Sequence, residues 1–286
     1  MSNQGGIVYL IKRGIIILVI IILFVILLLG LLGELDKLRR VFWGIEDGVN
    51  YHQYDLSGYL PHEVKELLLD YSQELILYPV DASLEQDSGE IIPEVFGQIL
   101  DITATKEEIL EAEEGEYLES VVERIKPYIK KEELEKITEE IGVYTTRVTG
   151  SESRMENIKL ATKLINNQLL LPKEVFSFNE IVGPRTKEKG FKEAPQIVDG
   201  RFVPGVGGGI CQVSSTLYNA LKQEELEVIE RYTHSRDVNY VPEGKDATVA
   251  WDYFDFKFKN NFEQPIIVKA SSGGGYLTVR ILGYQE

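Results

Sequence analysis

The sequence predicts an α+β protein in three parts: one N-terminal transmembrane helix, a small acidic α+β domain, and a C-terminal α+β domain with antiparallel strands. Three observations carry that expectation. An unbroken apolar stretch lies near the N-terminus, the charge balance changes abruptly near residue 140, and alternating patterns replace helical ones beyond residue 227.

The twenty residues from Gly14 to Gly33 contain no charge. At about 1.5 Å per helical residue they cover the roughly 30 Å hydrocarbon layer of a bilayer. The apolar part of a cleaved signal peptide is shorter, about 7–15 residues, so the length points to a retained anchor. Residues 1–13 are expected in the cytoplasm and residues 34–40 as a short stem. Lys12 and Arg13 precede the span and Lys37, Arg39 and Arg40 follow it, which leaves the positive-inside rule almost tied.

Residues 41–140 carry a net charge of −19, whereas residues 141–286 are neutral and the whole chain stands at −16. Such a balance repels phosphate backbones, so nucleic acid is not an expected partner. In the acidic domain, Pro61 suits the first turn of a helix reaching about Leu75. Val64, Leu67, Leu68 and Tyr71 share one face of it. Residues 76–84 read as a strand, and residues 104–114 and 117–140 as acidic helices, the second interrupted at Pro127. The run Glu111–Glu119 reads as a solvated helix face, not a metal site.

The second domain, 141–286, is predicted to hold helices over about 154–167 and 211–223. Strands are expected at 227–232, 247–259, 265–271 and 276–282. In the long strand Asp252, Phe254, Phe256 and Phe258 alternate with Trp251, Tyr253, Asp255 and Lys257, which predicts one buried aromatic face.

The candidate chemistry centres on Gly207-Gly-Gly-Ile-Cys211-Gln-Val-Ser-Ser-Thr216. Three glycines permit positive φ and close backbone approach, then deliver the chain to a helix start. Free N–H groups and the positive dipole end favour an anion there, so the pKa of a cysteine falls. The amides of Gly208 and Gly209 are candidate oxyanion donors. With a single cysteine the chain can build neither an internal disulfide nor a thiolate-rich zinc site. No metal or cofactor is expected. Of the three histidines, His52 and His62 read as surface or capping residues, and His234 as the base for the thiol. Asp246 or Asp237 would orient its imidazole. In the loops, Ser177, Asn179 and Thr186 also suit plain turn chemistry. Arg185, Arg231 and Arg236 suit a carboxylate or mere solvation.

Residues 141–270 resemble the VanW family. The matching segments are Thr145–Thr146, Arg154–Asn157, Phe176–Asn179, Val182–Thr186, Gly207–Leu217, Glu230–Arg231, His234–Ser235, Tyr240 and Gly244–Val249. Pro172-Lys173 departs from the family's Pro-Gly. Residues 41–125, including Tyr78-Pro-Val-Asp-Ala82 and Ile92-Pro-Glu-Val-Phe-Gly97, resemble the peptidoglycan-binding domain that often precedes it. The resemblance implies an L,D-transpeptidase with Cys211 as nucleophile, His234 as base and Asp246 as its partner. Implied oxyanion and substrate contacts are Gly208, Gly209, Gln212, Ser214, Asn179, Arg185, Arg231, Ser235 and Tyr240. The implied partners are peptidoglycan stem peptides and the membrane, through residues 14–33. The implied location is the cell membrane, single-pass, with the catalytic domain outside. A cysteine peptidoglycan hydrolase and a non-catalytic wall-binding scaffold are the alternatives.

Overall fold

The computed structural model describes residues 4–198, 200–221 and 226–284. It is a mixed helix and strand protein, and its paired strands are antiparallel with one exception. One helix, Gln4–Trp43, runs through both the apolar stretch and the expected stem without a break. Its segment 17–43 is long and apolar enough to cross a membrane, a test that a signal sequence near an N-terminus also passes. Gly44 ends it: a Cβ there would strike the Arg40 carbonyl, to which the Gly44 N–H donates at 2.9 Å.

The chain divides into two compact units, residues 1–79 with 96–126, and residues 80–95 with 127–286. The expected boundary at 140 therefore differs from the observed division. Residues 127–140 join the second unit because Asp81 Oδ1 accepts from the amides of Tyr128 and Ile129, at 2.6 and 3.0 Å. The strand Ile137–Arg147 then enters that unit's main sheet.

In the first unit the helix Pro61–Glu74 begins with its proline and buries Val64 and Leu68, as its periodicity predicts. Ile45, Val49, Tyr51, Leu56, Leu100 and Ile109 complete the core. Arg40 grips Glu63 through both terminal nitrogens at 2.8 Å, and this holds the Glu63 carboxyl down at about 2. Strand Asn50–Tyr51 pairs antiparallel with Tyr54–Asp55 and parallel with Tyr117–Leu118; Gly97–Leu100 pairs with Val122–Ile125.

These pairings correct the expected helix over 117–140. That stretch forms the strands Tyr117–Leu118 and Val122–Ile125, the single turn Lys131–Leu134, and the start of Ile137–Arg147. Its glutamates favour helix, but β-branched Val121, Val122, Ile125 and Ile137 find pairing partners, and context outweighs weak propensity. The strand expected over 76–84 shrinks to bridges at Leu77 and Val80 and the pair Ser83–Leu84. Pro79 has no N–H to continue a ladder.

The second unit has a four-stranded antiparallel sheet in the order Ile137–Arg147, Tyr276–Tyr284, Ile266–Gly273, Gln168–Leu170. The helices Glu152–Ile165 and Cys211–Leu221 pack on it. Beyond Leu221 the helix expected to reach Gln223 passes outside the described residues. A three-stranded sheet of Val175–Ser177, Lys257–Lys259 and Glu227–Glu230 and a hairpin, Glu193–Val198 with Arg201–Val206, complete the unit.

The long strand expected over 247–259 is real only at Lys257–Lys259. Ahead of it the chain turns, with Ala250 N–H donating to the Phe254 carbonyl at 2.8 Å and Asp252 at φ +66°. Asn179 fixes this turn by donating to the carbonyls of Ala250 and Phe254 at 3.2 and 2.9 Å. Phe256 and Phe258 are buried as the alternation predicts, whereas Phe254 is 43% exposed.

Candidate active site

The glycine run is shaped by sterics at each step. Gly207 and Gly209 take φ of +90° and +105°, which L side chains rarely adopt. Gly208 is blocked differently: a Cβ would press on the Ala194 carbonyl and sit 2.6 Å from the Pro195 oxygen. Asn157, buried on its helix, donates to the carbonyls of Lys192 and Gly208 at 2.9 and 3.0 Å and accepts from Lys192 N–H at 2.7 Å. The loop is thereby clamped, and the next helix starts at Cys211 itself. Cys211 sits in the first turn, where N–H groups lack intrahelical acceptors and the dipole end is positive.

The same helix fixes its partner. From Gln212 to Leu221 it is buried all round, so its hydroxyls and amides must find partners inside. Ser214 Oγ donates to the Ala247 carbonyl at 2.7 Å, Ser215 Oγ accepts from Ala247 N–H at 2.9 Å, and Asn219 donates to the Lys245 carbonyl at 2.6 Å. Arg231 stacks on Tyr218 at 4.5 Å and donates to the carbonyls of Gly244 and Asp246, at 3.2 and 2.7 Å. Four side chains, Ser214, Ser215, Asn219 and Arg231, thus immobilise the segment that carries Asp246.

Asp246 Oδ2 accepts from the backbone N–H of His234 and lies against its Nδ1, both at 2.6 Å. The two side chains are 8% and 6% exposed, so their charge interaction is little screened by water. With Nδ1 so engaged, Nε2 is left free of Asp246, and the His234 and Cys211 side chains each shift the other's protonation. The half-buried thiol also donates to the Val249 carbonyl at 3.5 Å.

Burial pushes the Cys211 thiol up, but the His234 hydrogen bond and charge, the Val249 contact and the Arg185 charge outweigh it, and its pKa falls. For His234, burial works downward, yet Cys211 and then Asp246 carry its pKa above the usual value. The shifts favour a thiolate beside an imidazolium.

A sequence profile described as VanW like protein matches residues 153–282. Over 214 residues the chain is 42% identical to uncharacterized protein YoaR of Bacillus subtilis (strain 168), covering 73% of this chain and 70% of that one. The chain belongs to the VanW family. It is also 32% identical over 117 residues to the vancomycin B-type resistance protein VanW of Enterococcus faecalis (strain ATCC 700802 / V583), covering 38% of this chain and 42% of that one. No solved structure matches significantly.

In this VanW-family chain the remaining candidates divide into those near the sulfur and those that brace it. At Tyr240 burial pushes the phenol pKa up and the Cys211 charge adds to this, against the lowering influence of Ser215 and Arg154. Arg185 also feels the Cys211 charge, while burial lowers its pKa. Gln212 is a brace: it accepts from Arg154 at 2.7 Å and donates to Thr146 Oγ1 and the Arg147 carbonyl, at 2.9 and 3.0 Å. Its amide has little left for a substrate. Ser214, Asn179 and Arg231 are likewise engaged by the scaffold, as described. Ser235 accepts from Gly200 N–H at 3.0 Å and Arg236 stacks on Phe202 at 4.9 Å, so both hold the hairpin tip. Of the two acids left open by the sequence, Asp246 meets the imidazole and Asp237 is exposed. Outside this unit, His52 lies 2.8 Å from Ser120 Oγ, and His62 is exposed.

Two supporting residues were not singled out as site residues from the sequence. Asn157 was detectable as a polar position on the buried stripe with Ile158, Ala161 and Ile165. Asp255 takes Ser177 Oγ at 2.6 Å and Asn179 N–H at 2.9 Å, and was read as one position in an alternating strand.

Proposed function

We propose that this protein is a cysteine-dependent L,D-transpeptidase that forms peptidoglycan cross-links. The N-terminal helix is a retained single-pass anchor, and the thiol-bearing unit lies outside the membrane. The observation that carries the reading is Asp246 gripping His234 at 2.6 Å while His234 draws down the pKa of the Cys211 thiol in the first turn of a helix. Its parts match two needs of acyl transfer, an activated nucleophile and a base held in one tautomer; the Gly208 amide, read from the sequence as an oxyanion donor, is engaged by the Gly205 carbonyl at 3.4 Å. Family membership supports it, one relative being named for vancomycin resistance.

The Cys211 thiolate attacks the carbonyl carbon joining the third and fourth residues of a stem tetrapeptide. As the tetrahedral adduct collapses, the C–N bond breaks and the imidazolium gives its proton to the departing D-alanine amine. A thioester remains on Cys211. The amine of a neighbouring stem then attacks it, its proton passes to the imidazole, and the sulfur leaves as thiolate again.

The test is to incubate the full chain, in detergent, with disaccharide-tetrapeptide and to weigh the products. Wild type is expected to give dimer lacking one D-alanine, and Cys211→Ala none. Monomer shortened by D-alanine would make the protein a hydrolase instead, and unchanged substrate would favour a non-catalytic scaffold.

A further inference from the structure

Among the described residues of the second unit, one buried guanidinium fork has no hydrogen-bond partner. Arg185 Nη1 and Nη2 are both shut off from solvent and make no hydrogen bond. A guanidinium carries five donors and keeps its charge, so leaving its two outer nitrogens unmet is costly unless something else meets them. The rest of the side chain is well held. Its Cβ and Cγ lie against Gly207, where a Cβ would come within 3.0 Å of both, and its charged end is 5.7 Å from the Phe178 ring and 6.0 Å from the Trp251 ring. Asp255, whose charge Arg185 feels, is engaged by Ser177, Asn179 N–H, Phe256 N–H and Lys257 and forms no ion pair with it.

The unmet fork belongs to the neighbourhood of the sulfur. Gly207 lies four residues before Cys211 in the same turn, Trp251 lies two residues after the carbonyl that receives the thiol, and Arg185 and Cys211 feel each other's charge. Trp251 is 39% exposed, on a turn whose Tyr253 is 81% exposed.

We infer that Arg185 binds the free C-terminal carboxylate of the donor peptide, one residue beyond the bond that is cut. This deepens the transpeptidase reading and rests on it: the donor must end where its leaving residue ends. A planar fork meets a carboxylate with two parallel bonds, and one residue of chain spans only about 3.6 Å, so that carboxylate must be met in the neighbourhood of the sulfur, where the unmet fork lies. The site therefore removes a terminal residue and rejects donors extended or capped beyond it.

The experiment measures binding apart from catalysis. In full chain carrying Cys211→Ala, calorimetry compares disaccharide-tetrapeptide having a free terminal carboxylate with the same compound as its C-terminal amide. The acid is expected to bind about 10–100-fold more tightly, the usual scale for a charge-assisted pair. Adding Arg185→Met, which keeps the packed stem, should bring the two affinities together. Arg185→Lys, with charge but no fork, should retain part of the difference. Equal affinities for acid and amide with Arg185 intact would overturn the assignment whether or not the Met variant folds. So would a preference that survives Arg185→Met, which would leave Arg185 only its effect on the thiol. Because no turnover is involved, an absence of dimer in the product assay sinks the transpeptidase reading without touching this result.

Discussion

Full chain carrying His234→Ala is expected to form the thioester about 10²–10⁴-fold more slowly than wild type, the usual range for losing a general base. The loss has two sources. The His234 imidazolium is the strongest influence drawing the Cys211 pKa down against its burial, so without it the thiolate population falls at neutral pH. The departing amine also loses its proton donor. Asp246→Asn should produce a smaller, related loss, because an amide facing Nδ1 no longer selects the tautomer that presents Nε2 correctly. Stopped-time mass spectrometry of the acyl-enzyme separates these effects from later steps. The pH profile adds a sign. The thiol pKa is lowered, so activity should appear below the ordinary cysteine value of about 8.5; the His234 pKa is raised, so activity should fall only above the ordinary histidine value of about 6.5. A His234→Ala enzyme as fast as wild type would show that another group takes the proton.

The second large effect concerns folding. Gly208→Ala is expected to destabilise the second unit by about 2–4 kcal/mol, lowering its melting temperature by roughly 5–15 °C. What the new methyl meets is backbone, the carbonyls of Ala194 and Pro195, and not the yielding tip of a side chain. Those carbonyls belong to a hairpin strand, and Gly208 is also held by Asn157 at 3.0 Å, so neither wall can retreat cheaply. Gly273→Ala is the matched control: nothing lies within 4 Å of its Cβ position, and the change should stay within about 0.5 kcal/mol. Circular dichroism melts of the full chain read both. Equal melting temperatures for the two variants would mean that the loop is looser than its contacts indicate.

How much of this was legible in the residues depends on the range of the interaction. The buried face of Val64 and Leu68 repeats along one helix, and so does the stripe of Ile158, Ala161 and Ile165, and periodicity exposes both. The glycine turn before Cys211 was equally readable, since three consecutive glycines leave few other purposes. Long-range pairing was not. The residues from Val122 to Ile125 look helical until Gly97–Leu100 is placed beside them, and the run 247–259 alternates like a strand until Asn179 folds its first part into a turn. Within the site, chemistry named Cys211 and His234, but spacing left Asp246 and Asp237 level. Only the grip of Ser214, Ser215, Asn219 and Arg231 on residues 244–247 puts Asp246 against the imidazole. Gln212, expected from the resemblance to contact substrate, is instead seen bonded to Arg154, Thr146 and Arg147, because a buried helix spends its polar side chains on its own surroundings.

The central claim is an ionised sulfur held by His234, and the rate of carboxamidomethylation of Cys211 by iodoacetamide as a function of pH tests it most directly. The full-chain protein should react with a midpoint well below the free-thiol value of about 8.5, and His234→Ala should move that midpoint upward. A wild-type midpoint at or above the free-thiol value, unchanged in His234→Ala, would contradict it.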